Sequence, residues 1–315
     1  MFLWTVGAWP CAAEDTVYRE TEGRKAWFTF LKPACETPAK QLDYARKLRA
    51  KGSWRAVRQY RALVASWPTS PEALLAQMEK AKTLDDRGHW AAAFEAYTET
   101  LDQYSSLVPY DQIVERQYVI AKQVLQQRSA RWLFGGFPAP EQAIPLLEGI
   151  VKRAPRASFA AEAQYQIAQA YASNEDFEMA VSSYGLVLSL YPDSEWAQES
   201  TFQRAFLLFE LSKRSPNDRQ LSEDTWYALS FAMHKYPKNN HVKLAENYLA
   251  TTQTRRIFQA YRIALYYDRS GTKPGAALVM YRLFVKRFPD APQIEGVQAR
   301  IEVLTQQIAE KAGAL

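Results

Sequence analysis

Residues Ala160 to Pro192 read AAEAQYQIAQAYASNEDFEMAVSSYGLVLSLYP, and this stretch decides the fold. A small residue, Ala168, and an aromatic one, Tyr171, fall three apart on a first apolar-periodic run. A polar turn, Asn174 to Asp176, leads to a second run in which Ala180 and Tyr184 fall four apart. Such spacings put each pair of residues on one face of an α-helix. Pro192 closes the second run, because proline has no N–H to donate. Small side chains at Ala168 and Ala180 let two antiparallel helices approach, with Tyr171 and Tyr184 expected to fill the gap between them. One such pair cannot bury its apolar face alone, so others must stack on it.

These are the spacings of a tetratricopeptide repeat, and looser copies run through the chain. An aromatic residue followed by proline recurs at Trp67-Pro68, Tyr191-Pro192, Tyr236-Pro237 and Phe288-Pro289, with Val108-Pro109 and Ala154-Pro155 as weaker versions. Upstream of these closures lie apolar residues at helical spacing, among them Ala56, Tyr60, Leu63 and Val64; Ala93, Phe94, Tyr97 and Leu101; and Ala277, Met280, Tyr281 and Phe284. The predicted fold is all-α, a right-handed solenoid of tetratricopeptide-like helix pairs. Composition agrees: the 315 residues are 48% hydrophobic with only 12 Gly, and no alternating strand pattern bounded by glycine turns is visible.

Working outward, the array starts near Gln41 with a Gly52 turn, followed by a pair at about 72–86 and 89–104 around Gly88. A third pair opens at Asp111 and is interrupted by the insert WLFGGFPAP, Trp132 to Pro140. Pro145 implies that the next helix starts late or kinks. Further units cover 195–236 and 241–288, and 292–312 forms an end cap whose polar face is Glu295, Gln298, Glu302, Gln306 and Glu310.

Residues 1–13, MFLWTVGAWPCAA, are apolar and meet Glu14 and Asp15, which reads as the end of an export signal; a packed segment of a cytosolic protein is the bland alternative. Residues 14–38 read as an extended entry segment with Trp27 and Phe30 as anchors, and 39–315 as the solenoid. Cys11 stands as a candidate lipidation site, although Ala8-Trp9-Pro10 is an unusual lead-in, and a Cys11–Cys35 bridge is open if the segment is retained. No run approaches the ~18 apolar residues of a membrane span, so membrane association is peripheral or by lipid anchor.

The net charge of +5 is modest, with Lys and Arg spread beside nearly as many acids, and no nucleic-acid partner is expected. No catalytic, metal or cofactor constellation stands out. His89, His234 and His241 read as surface residues, and Asp85-Asp86 and Glu175-Asp176 as caps of the helices that follow them. The chain reads as a binding protein and not as an enzyme.

The closures of the Tyr191-Pro192-Asp193-Ser194 kind, and above all the order helix, IALYYDRSG, helix, VKRFPDAP between Ala245 and Pro292, resemble the BamD family of outer-membrane assembly lipoproteins. The residues that carry the resemblance are Tyr266, Tyr267, Asp268 and Arg269, followed by Phe288-Pro289-Asp290. The resemblance implies an assembly factor at the periplasmic face of the outer membrane. Its C-terminal repeats would dock on the BamA-like periplasmic domains of the β-barrel insertase, and its N-terminal repeats would receive unfolded outer membrane proteins. Tyr266, Tyr267, Asp268, Arg269 and Arg282 are the partner-binding candidates so implied. A soluble periplasmic scaffold for cell-wall or cell-division proteins is the alternative.

Overall fold

The structure, a computed structural model, describes residues 32–126, 140–270 and 274–313. Residues 1–13 with Cys11, the anchors Trp27 and Phe30, and the insert up to residue 139 lie outside the described residues. The described residues hold thirteen α-helices and no strand. They divide into two compact units, Met1–Ala163 and Gln164–Leu315.

The first unit contains α1 (Pro38–Ala50), α2 (Arg55–Ser66), α3 (Pro71–Asp86), α4 (Trp90–Tyr104), α5 (Tyr110–Gln126) and α6 (Ile144–Arg153). Helix α7 (Ala160–Ser173) straddles the boundary. Each helix up to α6 packs on the next, and α1 also touches α3, as in stacked pairs whose first helices form one layer. Alanines make the approach close: Ala45, Ala56, Ala73 and Ala76 are fully buried together with Tyr60 and Leu63.

The second unit continues with α8 (Phe177–Leu190), α9 (Glu195–Arg214), α10 (Arg219–Lys235), α11 (Val242–Arg269), α12 (Pro274–Arg287) and α13 (Ile294–Gly313). It has the same chain of neighbour contacts, with α9 also touching α11. Phe209 stacks on Tyr248 at 4.0 Å between ring centroids, joining α9 to α11. The five polar residues expected on the last helix, Glu295 to Glu310, are all exposed.

Local chemistry accounts for the helix ends. Thr37 and Ser70 accept hydrogen bonds from Lys40 and Ala73 N–H, each with a proline in the first turn, where no N–H is needed. Trp67, Tyr191 and Tyr236 leave the helical region at φ near −130° while still donating to the carbonyl four residues back. The following proline forbids the helical conformation there, which is how the aromatic-proline pairs close helices. Pro145 lies in the first turn of α6, so of the two expected outcomes the helix starts late, at Ile144, and does not kink.

Several expectations need correction. Ala168, Ala180 and Tyr184 are buried as the repeat requires, but Tyr171 is half-buried. The ring against Tyr184 is Tyr165, 5.6 Å away and 4.7 Å from Trp196. Tyr165 and Tyr171 flank Ala168 three residues to either side, on opposite edges of its face, and the edge turned toward α8 and α9 carries Tyr165. Asp85 caps nothing, being buried in the last turn of α3, and Asp176 makes no side-chain cap bond. Glu175 occupies the turn with φ of 63°, in the left-handed region that Gly52 and Gly88 supply to two other turns. His241 is not a free surface residue: its Nε2 lies 3.2 Å from both carboxylate oxygens of Glu199. Cys35 is buried.

Candidate functional site

The partner-binding candidates sit at the end of α11 and on α12, and they separate into braces and contacts. Asp268 faces inward. Arg300 of α13 grips it in a two-point contact, Nε to Oδ2 at 2.9 Å and Nη2 to Oδ1 at 2.8 Å, and the Tyr281 hydroxyl of α12 donates to Oδ2 at 3.0 Å. The Arg300 hydrogen bond, with help from Tyr281, holds the Asp268 carboxyl below its ordinary range against the opposing effect of burial. Burial and the bond to Asp268 push the Tyr281 phenol well above its usual value. Three successive helices are thereby tied at one carboxylate. Tyr267 packs against the apolar cluster of the same helices.

A second tie fixes α12 from its other end. Glu223 of α10 accepts from Arg256 of α11 at 2.7 Å and pairs with Arg287 in the last turn of α12. Burial acts to raise the Glu223 pKa, but the two guanidiniums outweigh it and the net direction is down. Arg256, only 7% exposed, has its guanidinium carbon over the Trp226 ring at 4.4 Å from the centroid, so its charge is both paired and set against an aromatic face.

With the inner side pinned, the outer side is presented in a fixed orientation. Tyr266 is 71% exposed, and Arg269 and Arg282 are exposed as well. Phe258, Arg262, Tyr266 and Arg269 recur at helical spacing on α11 as an exposed aromatic and basic stripe. Val279, Arg282, Leu283 and Lys286 do the same on α12. Sequence reading missed Phe258, Val279 and Leu283. The available signal was apolar side chains falling on faces whose other members are charged.

The Asp268 brace has a counterpart in the first unit. Asp85, at the end of α3, takes Arg116 of α5 at 2.6 and 2.7 Å and the Tyr97 hydroxyl of α4 at 3.3 Å. Burial, followed by the Asp85 charge, raises the Tyr97 phenol to about 12. Asp268 therefore belongs to a repeated structural device, and the exposed neighbours remain as contacts.

The first unit also has an open cleft of about 600 Å³ lined by Arg46, Arg49, Ala50, Glu79 and Lys82. Arg46 reaches Glu79 at 2.6 Å and Arg49 reaches Asp86 at 2.8 Å. Basic residues are not spread evenly. The stretch 38–66, which forms α1 and α2, carries eight Lys and Arg against the single acid Asp43, whereas the rest of the chain is close to balance. Whole-chain composition averages this concentration away. Among the described residues no group of His, Cys, Asp and Glu is placed to hold a metal ion, and no helix is long and apolar enough to cross a membrane.

Residues 139–312 match the family described as YfiO, outer membrane lipoprotein. That is more than half of the chain. The chain belongs to the YfiO family. The likeness to BamD drawn from the Tyr266 to Asp290 region is borne out at this level, and the matched segment holds every partner-binding candidate, while α1 to α5 precede it. No curated protein matches. Solved structures of tetratricopeptide-repeat character are similar at low identity. One is a MamA fragment from Desulfovibrio magneticus, 16% identical, covering 64% of this chain and 97% of that one, TM-score 0.28. A thermophilic repeat protein of Thermus thermophilus is 18% identical, covering 69% and 99%, TM-score 0.27. A repeat protein of Parabacteroides merdae is 13% identical, covering 85% and 98%, TM-score 0.28. At such TM-scores the likeness carries no argument about geometry or role.

Proposed function

We propose that this YfiO-family chain is a non-enzymatic assembly factor for outer membrane β-barrel proteins, acting at the periplasmic face of the outer membrane. The observation that carries the reading is that the family match covers the helices from α6 onward, among which α11 presents an exposed aromatic and basic face and α12 an exposed aliphatic and basic one, both on braced helices. Through Tyr266, Arg269 and Arg282, and the newly found Phe258, Val279 and Leu283, the second unit docks on the BamA-like periplasmic domains of the barrel insertase. Rigid presentation favours binding, because little side-chain and backbone freedom is left to lose. The first unit, with its open cleft beside α1 and α3, receives segments of unfolded outer membrane proteins. Membrane attachment is peripheral or through lipid at Cys11, a residue outside the described ones.

A crosslinked pull-down from envelope fractions tests this. The full chain is expected to capture the insertase, and the pair R269E and R282E to capture several-fold less while keeping the wild-type circular dichroism. Absence of insertase from the full-chain pull-down overturns the reading in favour of a soluble periplasmic scaffold for cell-wall or cell-division proteins.

A further inference from the structure

The turn between α1 and α2 lies in the strongly basic stretch 38–66, and an unburied tryptophan stands at its apex. Gly52, at φ of 68°, lets the chain reverse, with Gly52 N–H donating to the Arg49 carbonyl at 2.9 Å and Ser53 N–H to the Leu48 carbonyl at 2.9 Å. This doubly bonded helix end is a rigid mount. On it stands Trp54, 68% exposed and in contact with no other ring among the described residues, although tryptophan is among the residues most buried on average. Lys51 and Arg55 flank it, and Lys47 and Arg58 follow one turn along each helix, all four exposed. No acidic side chain pairs with Lys47, Lys51 or Arg55 among the described residues.

We propose that this tip is a contact for anionic phospholipid, with Trp54 seated at headgroup level and Lys47, Lys51 and Arg55 set against lipid phosphates. Charge complementarity selects the occupant. A positive excess confined to one hairpin, in a chain otherwise balanced, matches a surface of dense negative charge. The tryptophan narrows the choice, since its amphipathic ring favours the membrane–water interface. Nucleic acid fits less well: one apical ring makes no stacking platform, and the family is one of outer membrane lipoproteins. The contact adds a second attachment signal beside any lipid chain, the combination that converts weak adhesion into stable anchoring. It also fixes which end of the first unit meets the bilayer.

Co-sedimentation of the full chain with vesicles tests this without any insertase, so it succeeds or fails independently of the assembly role. One set of vesicles contains phosphatidylethanolamine with phosphatidylglycerol, and the other phosphatidylcholine alone. An attached acyl chain enters both; the tip discriminates between them. The full chain is expected to prefer the anionic vesicles, and the preference to fade as salt is raised. K51Q with R55Q lowers anionic binding by about 30-fold, the loss expected for two surface cations, and leaves phosphatidylcholine binding unchanged. W54A lowers anionic binding while keeping the salt dependence, and its circular dichroism checks the fold. Equal binding to both vesicle types, or unchanged binding by K51Q with R55Q, overturns the proposal. Capture of a DNA duplex or of polyglutamate at physiological salt with no vesicle preference overturns it too, and assigns the patch to that polymer.

Discussion

The two aspartate braces do the same job in different surroundings. In the first unit Asp85 joins Tyr97 and Arg116, twelve and 31 residues downstream; in the second Asp268 joins Tyr281 and Arg300, thirteen and 32 downstream. Each ties the end of one helix to the next helix and to the one after it. The surroundings differ in depth. Asp85 is 4% exposed and anchors α5, which buries Ile113, Val114, Gln117, Tyr118, Ile120 and Ala121. The Asp268 side chain is 13% exposed and anchors α13, whose outer face meets solvent. A stack needs such ties because neighbouring pairs share only a strip of apolar surface, and a paired carboxylate fixes their rotation where alanines alone allow sliding. At the end of the stack the tie carries more of the burden.

The largest effects come from deleting the rings in the braces. Tyr281→Ala and Tyr97→Ala are each expected to cost about 3–5 kcal/mol by urea denaturation, and the Phe variants about 1 kcal/mol, the value of one hydrogen bond. Equal losses for Ala and Phe at either site would mean that the hydroxyl and not packing dominates.

Smaller losses follow from the carboxylates. Asp85→Asn and Asp268→Asn are expected to cost about 1–3 kcal/mol, below the full penalty for breaking a buried pair, because both arginines reach solvent. Hydrogen exchange distinguishes them: Asp85→Asn should loosen α5 within a structure that stays folded, whereas Asp268→Asn should release α13 as a unit. If α13 keeps its protection, the end cap stands without its brace.

Acidification probes the second brace more directly. The Asp268 pKa is depressed by Arg300, so the group stabilises the fold at pH values above its unfolded pKa, and this contribution is lost as pH falls through the lower folded value. Stability of the wild type should therefore drop on acidification below about pH 4. The drop should be shallower in Asp268→Asn, as read from melting temperature against pH. Parallel curves would remove Asp268 from the acid transition.

The smallest effect on stability is expected outside the braces. Arg269→Glu and Arg282→Glu should stay within about 0.5 kcal/mol of wild type, their consequence appearing only in insertase capture. Large destabilisation by either would make that residue a brace like its neighbour Asp268.

Much of this was legible in residue spacing. Tyr191-Pro192 and Tyr236-Pro237 mark helix ends because the pre-proline restriction acts within two residues, and Ala168, Ala180 and Tyr184 mark a buried face because helical periodicity is local. The expected contact role of the YYDR motif divided once helices were placed: Asp268 turned inward and Tyr266 outward, two positions apart on a curved surface. Tyr171 is half-buried where Tyr165 is buried for a related reason, since spacing from Ala168 cannot say which edge of the helix faces its neighbour.

The sequence by itself determined an all-α repeat array, the boundaries of its pairs and its likeness to an outer membrane lipoprotein family. Only the tertiary structure decided which charges are consumed and which remain available. Arg116 and Arg300 each reach back more than 30 residues to close a brace, whereas Lys47, Lys51 and Arg55 converge on one turn with no acid opposite among the described residues. Helix formation and closure depend on neighbours in the chain, but ion pairing depends on the rotation and register of packed helices, which no local pattern records.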